Sequence, residues 1–136
     1  MSKAKAKGTT AEREVVRYLQ NWWPAAERRA LSGNKDKGDV AGIPGVVIEV
    51  KAAARQELAA WRRETEAEMA NAGASACVLV VKRARKPVGQ WDAYMRADMV
   101  PAALRHGGPQ AVAKGELAWL RMDVLLAAAT LKETGY

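Results

Sequence analysis

The sequence of 136 residues has no phenylalanine, a single cysteine and a single histidine. One cysteine excludes an intramolecular disulfide and a cysteine-rich zinc site. Cys77 follows Ala76 and precedes Val78, Leu79 and Val80, so it reads as a small buried hydrophobe. His106 alone excludes a histidine-clustered metal site within one protomer and reads as a loop residue beside Gly107 and Gly108. No stretch approaches the ~18 apolar residues of a membrane span. The basic start (Lys3, Lys5, Lys7) leads into a helical pattern instead of the apolar run of a signal peptide. The expectation is a cytoplasmic protein of a bacterium or a phage-infected cell, with no membrane partner. Acidic residues are the scarcer charge: 15 Asp and Glu face 22 Lys and Arg, a net +7. Such a balance points to an anionic partner, nucleic acid before any other.

No repeat or linker divides the chain, and its length suits one domain, since domains cluster at about 100–150 residues. Residues 1–8 read as a mobile basic leader. A helix follows, with Thr9 or Thr10 as cap and Val15, Val16, Leu19 and Trp23 at helical spacing until Pro24. Residues 25–31 read as a short strand, and 32–38, with Gly33 and Gly38, as a polar loop. Asp39-Val40-Ala41, the turn Gly42-Ile43-Pro44-Gly45 and the β-branched run 46–51 read as a hairpin. A helix is expected over 52–72, packing Leu58, Trp61 and Met69 and stopping at Gly73, and a second buried strand over 76–81. In the less regular part, 87–136, strands are expected at 90–96 and 117–122, a short helix at 99–106, and a helix at 124–133 capped by Asp123. The helical crossover between two buried strands makes the class α/β, a mixed central sheet flanked by helices.

Glu49-Val50-Lys51 carries the chemistry. Alternate residues of a strand share a face, so Glu49 and Lys51 point one way and Ile48 and Val50 the other. Charges inside an apolar run are costly unless paired or metal-bound. With the turn centred between Ile43 and Pro44, residues whose numbers sum to about 87 lie opposite; Asp39 faces Ile48, beside Glu49. Two carboxylates and a backbone carbonyl suit a hard cation such as Mg2+, and a neighbouring lysine can orient water or stabilise phosphate charge. The plainer alternative is an exposed edge-strand pair beside a turn aspartate. Glu12 also has two readings. It lies on the apolar face of its helix, as a ligand carboxylate would, and it sits where a capping-box acid would serve Thr9.

These segments resemble a known family. Lys7-Gly8-Thr9-Thr10-Ala11-Glu12-Arg13 and the following 14–19 are similar to the first helix of Holliday-junction resolvases of the archaeal type. Arg29-Ala30-Leu31-Ser32-Gly33 resembles their arginine-then-Ser/Gly loop, and Gly38-Asp39-Val40 with Ile48-Glu49-Val50-Lys51 resembles the PD-(D/E)XK nuclease core. The likeness covers about residues 7–82 and implies a restriction-endonuclease-like core over a single nuclease domain. It implies that Glu12, Asp39, Glu49 and the Val50 carbonyl bind Mg2+, with Mn2+ able to substitute, and that Lys51 is the catalytic lysine. It further implies that Lys7, Arg29 and Ser32 meet DNA and that a homodimer nicks two opposed strands of a four-way junction. Two departures stand out. Gly38 replaces the usual proline, which would loosen the hairpin entry, and 87–136 exceeds the family core. Lys35 in the polar loop, and Lys82 and Arg83 in the basic run 82–86, complete the expected DNA surface. Glu64, Glu66 and Glu68, beside Arg62 and Arg63, read as a solvated helix face. Val124, Leu125, Leu126 and Leu131, or Trp91 and Trp119, are candidates for the dimer contact. Other PD-(D/E)XK nucleases, of restriction or repair type, and a non-catalytic DNA-binding module remain alternatives.

Overall fold

The structure, a computed structural model, describes residues 3–29, 36–102, 110–111 and 118–136. The elements run α1 (Lys3–Leu19), β1 (Glu27–Arg28), β2 (Val40–Ala41), β3 (Val46–Lys51), α2 (Leu58–Ala72), β4 (Ala76–Val81), β5 (Asp92–Arg96), β6 (Gln110–Ala111), β7 (Trp119–Asp123) and α3 (Val124–Glu133). β1 and β2 form a small antiparallel pair, and the main sheet has the order β3-β4-β5-β7-β6. β3 and β4 are parallel and every other pairing in that sheet is antiparallel, so the sheet is mixed, as expected. The parallel pair requires a crossover, and α2 supplies it.

Helices cover both faces. On one, Ala11, Val15, Val16 and Leu19 of α1 and Val124, Ala127, Ala128 and Leu131 of α3 pack with Val46, Ile48 and Val50. On the other, Trp61 of α2 packs with Val47, Cys77, Leu79, Val81, Tyr94 and Trp119. β5, β6, β7 and α3, all from 87–136, extend the same sheet and its covering layer. Cys77 is fully buried, as its neighbours implied. Asp123 caps α3 by accepting the Leu126 amide at 2.7 Å, and Gly73 ends α2 in the left-handed conformation, φ 62°.

Several expectations are corrected. Residues 3–8 are not a leader: α1 starts at Lys3, because alanine and lysine are strong helix formers. Thr9 and Thr10 therefore lie inside the helix, where Thr10 Oγ1 donates back to the Ala6 carbonyl at 2.9 Å, so neither caps it. α2 starts at Leu58 and not at 52, since the chain must first turn back over the end of β3 despite its alanines. Of the helix expected over 99–106, the described part holds only a 3-10 turn at Ala97–Met99, and 103–106 lie outside the described residues. The proposed dimer contacts are mostly occupied: Val124, Leu131, Trp91 and Trp119 are buried within this chain, Leu126 is partly so, and Leu125 is the exposed one at 51%.

Candidate metal centre

Gly38 begins the site. Its φ is +91°, and a Cβ there would lie 2.9 Å from Val47 Cγ1 and 3.0 Å from the Ile48 carbonyl oxygen. Glycine permits both the angle and the approach, whereas proline would hold φ near −65°. Gly38 thus gives β2 a close-packed entry against β3, where a loosened one was expected. The approach lets the Asp39 amide donate to the Ile48 carbonyl at 2.8 Å, the pairing read from the turn. Asp39 Oδ2 then accepts the Val50 amide at 2.7 Å, replacing a ladder bond with a side-chain bond. The N–H and C=O of one strand residue point to the same edge, so the Val50 carbonyl also faces Asp39.

Glu49 and Lys51 share the face under α2, as their spacing implied. Glu49 is 4% exposed. Lys51 Nζ lies 3.3 Å from Glu49 Oε1 and 3.0 Å from the Glu64 carboxylate. The α2 residues Trp61, Thr65 and Glu68 are buried, four and then three positions apart, and so lie on the helix stripe turned to the sheet. Glu68 therefore does not belong to a solvated face, while Glu64, with its side chain 41% exposed, reaches in from the edge to Lys51. With Glu49 and Asp36, they bring one carboxylate oxygen each to within 4.8 Å of one another. Asp36 Oδ1 accepts the Gly38 amide at 2.9 Å, and its carbonyl is held by Asn71 Nδ2 of α2 at 3.0 Å.

Among the described residues the site holds too few cations, and Glu49 Oε2 and both Glu68 oxygens are buried without a hydrogen-bond partner. Burial, then the Glu68 carboxyl beside it, pushes Glu49 up to about 9. Burial raises Glu68 to about 7. Asp39 is raised by burial and by the charge of Glu49, with Glu12 adding to the effect, against the lowering influence of the Val50 amide. Burial alone would lower the pKa of Lys51, but Glu49 and Glu64 outweigh it and keep the ammonium charged. Without metal, a proton between Glu49 and Glu68 supplies the donor that both otherwise lack. A bound cation can do the same, and Asp36, Glu49, Glu64 and Glu68 are the carboxylates close enough to share one.

Glu12 stands at the margin. Arg28 donates to its Oε2 from Nε at 3.1 Å and Nη2 at 2.9 Å, which replaces the capping reading. Its charge still reaches Asp39. The expected DNA residues divide. Lys7 and Lys82 line one cavity of about 220 Å3 with Gln56 and the alanines at 52–54 and 84, just past Lys51. The Lys82 ammonium rests over the Trp91 ring, 5.5 Å from its centre. Arg83 donates to the Gln90 carbonyl at 3.4 Å. Arg29 instead lines a depression with residues 42–46 and 72–74, at the other end of β3. Ser32 and Lys35 lie outside the described residues. Asp36, Glu64 and Glu68 were missed from the sequence. The signal was Glu68 two turns after Trp61, on the stripe of an expected core residue.

No protein-family model matches the chain. Neither the curated proteins nor the solved structures contain a significant match to it. Among the described residues no helix is long and apolar enough to cross a membrane.

Proposed function

We propose that this chain is a metal-dependent endonuclease that hydrolyses DNA phosphodiesters on a restriction-endonuclease-like core, in the manner of PD-(D/E)XK enzymes. The observation that carries the reading is Asp39, held by the Val50 amide at 2.7 Å, on the strand residue next to a buried Glu49 that has the Lys51 ammonium at 3.3 Å. Asp39, Glu49 and the Val50 carbonyl would hold the ion, with Glu12 tuning the niche from α1. Mg2+ or Mn2+ bound there supplies Lewis-acid activation of the attacking water and of the phosphate. Lys51 stabilises charge on the phosphate and orients the water. Lys7 and Lys82 hold the DNA backbone beside the end of β3. The net +7 gives the long-range attraction for DNA.

The substrate we assign is the four-way junction, which needs two symmetric nicks. One domain with one such niche then acts as a twofold homodimer. The test is incubation with four-way junction, linear duplex and single-stranded DNA, with Mg2+ and with EDTA. Paired nicks in the junction that require Mg2+ are the expected result, and affinity should fall steeply with salt. Equal cutting of linear duplex by a strict monomer would remove the junction assignment and leave the nuclease one. No cutting of any DNA in Mg2+ or Mn2+ would remove both.

A further inference from the structure

Glu68 has no part in the chemistry above, yet it is 1% exposed and presents two oxygens without a partner among the described residues. We infer that Asp36, Glu49, Glu64 and Glu68 form a second divalent-cation site, between β3 and α2, that shares Glu49 with the Asp39 niche. One oxygen from each of the four carboxylates lies within 4.8 Å of the others. The ammonium of Lys51 reaches Glu49 Oε1 and Glu64, which leaves Glu49 Oε2 and the whole of Glu68 unserved. With all four ionised, one ammonium against four carboxylates leaves a charge of −3, in a seam where uncompensated charge is costly. The donors are all carboxylate oxygens, with no sulfur or imidazole, so the site suits a hard ion: Mg2+, Mn2+ or Ca2+. It is built from three separate pieces of chain. α2 supplies Glu64 and Glu68 one turn apart, β3 supplies Glu49, and the residue before the Gly38 turn supplies Asp36, anchored to α2 through Asn71. Entry is open on one side, since Asp36 is exposed and the Glu64 side chain is 41% exposed. A bound ion would tie the loop before β2 to α2, so it should stiffen the molecule whether or not DNA is cut.

The test needs no nuclease activity. Free Mn2+ is followed by electron paramagnetic resonance as it is titrated into the full chain, in wild type, Glu68→Gln and Asp39→Asn. Glu68→Gln keeps the side-chain shape, and its amide can donate to Glu49, so folding should survive; circular dichroism checks this. The expected result is two Mn2+ per wild-type chain. Glu68→Gln should lose one of them, with affinity at that site down at least 10-fold, while Asp39→Asn retains it. Mn2+ should correspondingly raise the melting temperature of Asp39→Asn. One ion in wild type that Glu68→Gln removes and Asp39→Asn keeps supports this site and removes the Asp39 one. Unchanged binding in Glu68→Gln, or no binding in wild type, overturns the inference: a shared proton alone then serves Glu49 and Glu68. If Glu68→Gln does not fold, Glu64→Gln, at a partly exposed position, takes its place with the same outcomes.

Discussion

The two faces of β3 are built from one six-residue strand and do opposite things. Val46, Ile48 and Val50 enter an apolar cluster with residues of α1 and α3. Val47, Glu49 and Lys51 face α2, and past Val47 that side becomes a seam of carboxylates around one lysine. The first face gains free energy by removing hydrocarbon from water, about 25 cal/mol per Å2. The second gives some back, because Glu49 Oε2 and both Glu68 oxygens are buried without donors among the described residues. The strand thus separates stability from chemistry by the pleat alone. Charged groups can be held in strained company on one side because the other side anchors the strand.

Paired substitutions test that separation most strongly. Ile48→Ala removes a side chain that is 2% exposed and should cost about 2–5 kcal/mol of stability, read by denaturant unfolding. Glu49→Gln, one residue along, should leave stability equal or higher, since the neutral amide ends the crowding of carboxylates. The same change should abolish Mg2+-dependent cleavage while leaving DNA binding intact, and Asp39→Asn should act alike. A Glu49→Gln variant that unfolds as readily as Ile48→Ala, or cuts at the wild-type rate, would break the comparison.

A pH series sharpens it next. Glu49 and Glu68 stand near 9 and 7, above the usual 4.5, so across that window the folded chain holds protons that the unfolded chain has released. Stability in EDTA should therefore fall as pH rises from about 5 through 7 towards 9. Glu68→Gln should flatten the profile, and saturating Mn2+ should flatten it in the wild type. Thermal melts at each pH give the answer, and equal slopes in wild type and Glu68→Gln would show that Glu68 is not the titrating group.

The smallest effect concerns Glu12, which α1 brings to the margin of the charged side. Its bond to Arg28 is partly solvent-exposed, so Glu12→Gln should change stability by less than about 1 kcal/mol. Its cleavage rate should nevertheless fall strongly, through the charge it places near Asp39. An unchanged rate would limit Glu12 to its pairing with Arg28.

Much of this arrangement is local and was legible in the sequence. Strand periodicity assigns Glu49 and Lys51 to one face, turn arithmetic pairs Asp39 with Ile48, and the crossover length makes β3 and β4 parallel. The Asp123 cap and the buried Cys77 follow from immediate neighbours in the same way. Tertiary packing decided the rest. The glutamates of α2 follow directly on Arg62 and Arg63 and look solvated along the chain; only the docking of Trp61 on the sheet turns Glu68 inward and brings Glu64 to Lys51. Lys7 and Lys82 are 75 positions apart in sequence and come to line one cavity only in the folded chain. The proline-to-glycine departure took its meaning from the closeness of Val47 and Ile48 to Gly38. Periodicity and turn chemistry act between near neighbours and are written in the sequence. Rotation of a helix about its axis, and the meeting of distant side chains, depend on which surfaces pack together, and only the assembled fold determines that.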